Sequence, residues 1–323
     1  MTTEPQQSWQ RFLTTYEPLR TELYRYCRYL TRSPWDAEDL AQDALARAFV
    51  TLAQMGSAPD HPRAWLFRVA SNLWLDQVRK RRESPGEPPE VAVASEPRAP
   101  REAAGTLLVK LSPQERAAVV LKDVFAFSLE ETADALGTTV GGIKAALHRG
   151  RGKLVDDAPP DVATVPAAGV LDAFVAAFNA GDLDRLTALL LDNSVVEVVG
   201  ATTLYGAEAA RRTVLPGMLF GHRRMADGTA PIASDFTAGV LADAPRIEPR
   251  WHRDRWILVH WYRHVDGEAV RALTMVELAD DVDLDAGRIA RLRNYFYTAD
   301  FIADLGGELG VPTRSNGYRW WRS

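Results

Sequence analysis

Ser128-Leu-Glu-Glu-Thr-Ala-Asp-Ala-Leu136, Gly137-Thr-Thr139 and Val140-Gly-Gly-Ile-Lys-Ala-Ala-Leu-His-Arg-Gly-Arg-Gly-Lys-Leu154 read as helix, tight turn, helix. The first helix is short, a glycine marks the turn, and no acid interrupts the stretch from Thr138 to Leu154. This is the helix-turn-helix pattern, and a plain helical hairpin is the competing reading of it. Burying Ala133, Leu136, Val140, Ile143 and Leu147 leaves Lys144, His148, Arg149 and Arg151 near the exposed side. There they can neutralise phosphates or reach base edges in a major groove. Just upstream, Leu111-Ser-Pro-Gln-Glu115 opens a helix with Ser112 as cap and Pro113 in the first turn.

On either side of this segment the composition shifts. Ser84–Pro100 is rich in proline and charge without apolar periodicity, and Asp156–Pro166 is a shorter break of the same kind. The chain of 323 residues is too long for one ordinary core. It is expected to divide into a domain at 1–83, a linker at 84–104, a domain at 105–156, a linker at 157–167 and a domain at 168–323. No repeat of fixed period is present.

In the N-terminal segment, Ser33-Pro34-x-Asp36 supplies a cap, a first-turn proline and an acid at the third helical position. The helix that follows buries Ala37, Leu40, Ala41, Ala44, Leu45, Ala48 and Phe49 at helical spacing. Its other face carries Asp39, Gln42, Asp43 and Arg47, which by periodicity alone is a solvated face. A second helix, about Arg63–Arg82, buries Leu66, Val69, Ala70, Leu73 and Val78. It exposes Arg68, Asn72, Asp76 and Arg79 and ends in the cation block Arg79-Lys80-Arg81-Arg82. Trp65 and Trp74 lie among these charges. Cations beside aromatics suit a surface that holds a strand backbone and stacks an unpaired base. A tryptophan in a helix is also an ordinary core residue, and a cationic C-terminus favours the helix dipole without any ligand.

A net charge of −5 does not by itself indicate nucleic-acid binding, but these local basic stripes do. The apolar runs are far short of a membrane span, and the polar N-terminus has no signal core, so no membrane partner is expected and the cytoplasm is the expected address. The single cysteine, Cys27, excludes an intramolecular disulfide and offers no cysteine metal cage, and it reads as a buried core thiol. No cofactor or metal site is expected.

Taken together, three motifs carry a family resemblance. Asp36–Phe49 resembles the polymerase-clamp helix of extracytoplasmic-function sigma factors, and Arg63–Arg82 resembles their promoter-melting helix. Leu111–Arg116 with the helix-turn-helix resembles their upstream-element domain. The resemblance covers the first half of the chain, in the family's order. It implies two all-α domains, the region 2 helical bundle and the region 4 helix-turn-helix, with core RNA polymerase and promoter DNA as partners. By that resemblance Asp39, Gln42, Asp43 and Arg47 face the polymerase β′ clamp. Arg68, Asn72, Arg79, Lys80, Arg81 and Arg82 meet the opened minus-ten region, while Lys144, His148, Arg149 and Arg151 lie at the minus-thirty-five groove. One departure is visible: where the family commonly reads Val-Gly-Thr-Val-Lys-Ser-Arg-Leu, this chain has Gly142, Ala145 and Ala146 in place of the Thr, Ser and Arg. Loss of an arginine that can reach a guanine is expected to forfeit about 1–3 kcal/mol of discrimination.

The third segment changes character. A helix near Val170–Leu191 is followed by strand-like runs at Ser194–Val199, Trp256–His264, Ala269–Leu278 and Arg288–Tyr297, with hairpin turns at Asp266-Gly267 and Ala286-Gly287. That order predicts an α+β domain with a curved antiparallel sheet. The opening helix, its Asn179-Ala-Gly-Asp182 break and Gly287-Arg-Ile-Ala-Arg291 resemble the cone-shaped fold of nuclear transport factor 2, ketosteroid isomerases and SnoaL-like polyketide cyclases. Strand alternation places Trp256, Leu258, His260, Tyr262 and His264 on one face, making Trp256, His260 and Tyr262 candidate pocket residues for a small-molecule ligand. His222, Asp227 and His252 are scattered, with no metal-ligand spacing. Fold analogy alone does not license catalysis. The expected role of this domain is therefore regulatory rather than enzymatic, setting how the two sigma-like domains are held, and the aromatic tail Asn316–Trp321 is expected to dock. The competing functions are a helix-turn-helix regulator with a ligand-sensing domain, and a pocket enzyme fused to a DNA-binding module.

Overall fold

The computed structural model describes residues 4–55, 59–83, 108–153, 169–219, 240–241, 244–253, 255–279 and 288–317. Both expected linkers, the Ala286-Gly287 turn, His222, Asp227 and the end of the tail at Trp320 and Trp321 lie outside the described residues. The chain separates into two compact units, Met1–Val162 and Ala163–Arg322.

The first unit is all helical. Its first four helices are α1 (Glu4–Tyr16), α2 (Arg20–Thr31), α3 (Pro34–Met55) and α4 (Pro62–Glu83). The α3 start behaves as its sequence dictates, with Asp36 N–H donating to Ser33 Oγ at 3.3 Å. Leu23, Tyr26, Cys27 and Leu30 of α2 pack with Ala37, Leu40, Ala41, Ala44 and Ala48 of α3 and Leu66, Phe67 and Ala70 of α4, all buried. The alanine-rich face of α3 permits close approach on both sides.

Three further helices complete this unit: α5 (Pro113–Val119, continued by a π turn through Val124), α6 (Leu129–Ala135) and α7 (Val140–Gly152). Reciprocal capping boxes, Ser112 with Glu115 and Ser128 with Glu131, start α5 and α6. The turn between α6 and α7 holds Gly137 at φ +59°, a conformation that favours glycine. Thr139 then caps α7 by accepting from Gly142 N–H.

The second unit begins with α8 (Gly169–Ala180) and α9 (Leu183–Ala188), then β1 (Leu190–Val198), β2 (Thr202–Tyr205), α10 (Ala207–Arg212) and a short helix α11 over 214–219. It continues through β3 (Arg246–His252), β4 (Arg255–His264), β5 (Gly267–Leu278), β6 (Ile289–Tyr295) and α12 (Ala299–Leu309). The sheet runs β2-β1-β6-β5-β4-β3.

Two expectations are corrected here. The sheet is mixed rather than antiparallel, because β1 and β6 pair in parallel. The expected helix to Leu191 is two helices and the start of a strand. Gly181, at φ +71°, ends α8, Asp182 caps α9, and β1 begins at Leu190, which pairs with Ile289. Helices α8–α11 supply Leu171, Phe174, Phe178, Leu186, Leu215 and Leu219 to a core shared with Val196, Leu258 and Leu292 of the sheet. α12 is fastened by the stacking of Phe301 on Tyr295 at 4.2 Å.

Candidate functional site

Three surfaces of the first unit and one buried polar chain of the second bring the sequence candidates onto defined elements. On α3, Asp43 and Arg47 are exposed, and Asp39 and Gln42 are half-buried beside them. Beneath this stripe lies Glu38, fully buried and ion-paired with the buried Arg20 of α2. Gln42 Nε2 donates to Glu38 Oε1 at 2.8 Å. A carboxylate only accepts, so Gln42 turns its amide nitrogen towards Glu38. Glu38 was not among the sequence candidates. Its signal was available, as an acid within the apolar face that includes Ala37, Leu40 and Ala41.

On α4, Arg68, Asn72, Lys80 and Arg81 are exposed, whereas the Arg82 side chain lies outside the described residues. Arg79 pairs with Asp76 one turn back. Arg68 pairs with Asp134 of α6 through one terminal nitrogen at 3.1 Å, both side chains being exposed. The tryptophans serve packing. Trp74 is buried, with the Arg116 guanidinium 5.6 Å from its ring centroid, and Trp65 lies 6.1 Å from Tyr16.

Arginines cross between the two helical halves in both directions. Arg63 of α4 donates to the Phe125 carbonyl at 3.1 Å and sits 4.4 Å from the Phe127 ring centroid. Arg116 of α5 donates to the Leu30 carbonyl, in the last turn of α2, at 2.7 Å. Burial, reinforced by Arg32, lowers the Arg116 guanidinium to about 10.

On α7 the outermost positions are Gly141, Lys144, Ala145, His148 and Gly152, one stripe at helical spacing. Arg149 and Arg151 flank it, and each meets an acid. Arg149 Nε donates to Glu115 Oε1 at 3.1 Å, and Arg151 donates twice to Asp123, at 3.0 and 2.5 Å. These acids were invisible to a local reading because they lie 34 and 28 residues away. Ala146, which stands where the family commonly has arginine, is itself buried. Gly142 is tightly framed: a Cβ there would lie 2.8 Å from Thr138 Oγ1.

In the second unit, β4 brings His260 onto the helix-covered face, edge-on to Phe178 of α8 at 5.4 Å. His260 Nε2 bonds to Thr274 Oγ1 at 2.8 Å, and Asn294 Nδ2 donates to the same hydroxyl at 2.9 Å. Burial lowers the imidazole to about 3. Trp256, half-buried, packs on the same core. Tyr262 lies beyond the register shift after His260, paired with Ala269 and 6.4 Å from Phe296. His252 is bound to Glu308 at 2.7 Å and does not join the other candidates. Among the described residues, no group of three or more His, Cys, Asp or Glu side chains is placed to hold a metal, and no helix is long and apolar enough to cross a membrane.

The sequence matches the Sigma-70 region 2 family over residues 15–84 and the Sigma-70 region 4 family over residues 101–154. It is 31% identical over 233 residues to the ECF RNA polymerase sigma factor SigG of Mycobacterium tuberculosis, a match covering 60% of this chain and 63% of SigG. The chain thus spans under two thirds of the length of that relative. It is 30% identical over 294 residues to SigJ of the same organism, also an ECF RNA polymerase sigma factor, covering 77% of this chain and 90% of SigJ. Among solved structures, a SnoaL-like polyketide cyclase from Shewanella denitrificans aligns with 39% of this chain and 86% of its own, at 11% identity and a TM-score of 0.24.

Proposed function

The chain belongs to the extracytoplasmic-function sigma factors, and from that premise we propose that it carries core RNA polymerase to promoters and initiates transcription, with its C-terminal unit modulating that activity. The observation that carries this reading is the pairing, in one helical unit, of an α3 stripe rich in acceptor groups with a helix-turn-helix whose second helix is basic. A regulator that works by DNA binding alone needs the second but not the first. In this reading Asp39, Gln42, Asp43 and Arg47 meet the polymerase β′ clamp. Arg68, Asn72 and Arg79–Arg82 meet the opened minus-ten strand. Lys144, His148, Arg149 and Arg151 lie at the minus-thirty-five groove, and the complex works in the cytoplasm.

For the C-terminal unit, the regulatory reading is favoured over catalysis by His260. A neutral, fully buried imidazole lowered to about 3 is a weak base, poorly matched to general-base work near pH 7. The test compares run-off transcription by core polymerase from a promoter library, using the full chain and a chain lacking 168–323. Initiation by both forms with altered yield or promoter choice is the expected result. Identical behaviour of the two forms would remove the regulatory role.

A further inference from the structure

Glu115 occupies an unusual position for an acid in a DNA-binding module, directly under the cations of the second helix. Its side chain is almost fully buried, yet it holds two exposed groups, Arg149 through Nε at 3.1 Å and Lys153 through Nζ at 2.7 Å. The same carboxylate accepts from Ser112 N–H at 3.0 Å, so it is fixed by the start of its own helix. Gly150 makes this reach possible: a Cβ there would lie 2.9 Å from Val119 Cγ2 and 3.6 Å from Glu115 Cβ. At 100° per residue, Arg149 and Lys153 fall on one flank of the Gly141–Lys144–His148 stripe, and Arg151 falls on the other. A helix lying in a major groove presents its flanks to the two phosphate backbones and its outer stripe to the bases.

We infer that Glu115 is a positioning residue for promoter binding, which locks the Arg149 guanidinium and the Lys153 ammonium into one phosphate-facing clamp on the edge of the recognition helix. The inference rests on the sigma-factor reading and deepens it. Only Nε of Arg149 is used by Glu115, so both terminal nitrogens remain for a phosphate oxygen pair. The cluster keeps a net charge of +1, while the side-chain freedom of two long cations is removed before DNA arrives.

The sign of one substitution separates this from simple electrostatics. Glu115→Gln deletes a negative charge close to DNA, which by charge alone strengthens binding. It also preserves the capping box, since glutamine serves at that position, so the helix start survives. The positioning role predicts the opposite. On a promoter selected by the wild-type holoenzyme, Glu115→Gln holoenzyme should bind about five- to tenfold more weakly, a loss of about 1–1.4 kcal/mol. The slope of log affinity against log salt should flatten by about 1–2, the value of one or two lost phosphate contacts.

On a promoter fragment truncated so that no duplex reaches the upstream element, the clamp has no phosphates to meet and the two proteins should bind alike. Arg149→Lys, a substitution at an exposed site that keeps the charge but loses the fork, carries the same test independently of folding and should weaken binding about threefold. Equal or tighter binding by Glu115→Gln, or unchanged binding by Arg149→Lys, overturns the inference. Failure of wild-type chain and core polymerase to bind any promoter would instead overturn the sigma-factor reading itself.

Discussion

His260 illustrates how much one side chain reveals and how much depends on its neighbours. Strand alternation alone puts it on the face of β4 that proves to be covered by helices. Its partner Thr274 comes from a strand 14 residues on, and Asn294, which donates to the same Thr274 hydroxyl, lies 20 residues further; no local pattern announces either. The same holds for Arg149 and Arg151, legible as cations but not as paired ones.

Burial holds the His260 imidazole at about 3, against an ordinary 6.5, because the charged form loses its hydration. The unfolded chain therefore takes up this proton first as pH falls. The residue's contribution to stability is complete above pH 6.5 and is lost progressively as the pH drops towards 3. Thermal melts across pH 7 to 4 should show the wild-type chain losing up to about 1.4 kcal/mol per pH unit more than His260→Leu. Parallel pH profiles for the two proteins would contradict this account of the buried imidazole.

Between elements, the α2–α3 contact turns on the buried Arg20–Glu38 pair. Removing Glu38 takes away the carboxylate that this buried guanidinium pairs with, so Glu38→Ala should cost about 3–5 kcal/mol in chemical denaturation. Replacing both, as Arg20→Met with Glu38→Leu, should recover most of that stability. The double variant also frees the Gln42 amide to rotate, so its core-polymerase affinity should stay below wild type even when folding is restored. A double variant as unstable as Glu38→Ala would show that the charges are not what matters there.

Helices of the first unit were readable because caps and periodicity are local: Ser33-Pro34, Ser112-Pro113 and the Gly137 turn each settle a boundary within a few residues. The second unit was read less completely. The apolar helical spacing continues through Leu191, and only pairing with Ile289, 99 residues away, makes Leu190 a strand residue. The edge strand β3 carries no legible strand pattern, since Pro249 and the charges Arg246, Glu248 and Arg250 break any apolar alternation.

At the scale of the whole molecule, the chain forms two compact units. The helical unit places an acceptor stripe, a cationic helix end and a flanked recognition helix on one short stretch of chain. The α+β unit contains a hydrogen-bonded polar chain of His260, Thr274 and Asn294, and its regulatory role is the one proposed above. In the proposed function the first unit works with RNA polymerase rather than on DNA alone. The most direct test is run-off transcription with bacterial core polymerase, comparing the wild-type chain with Asp39→Arg/Asp43→Arg, which reverses the charge of the α3 stripe. Discrete initiation sites are expected for the wild type and at least a tenfold drop for the variant, equivalent to about 1.4 kcal/mol or more of lost binding. Duplex DNA binding without polymerase, together with no initiation by the wild-type chain, would contradict that function.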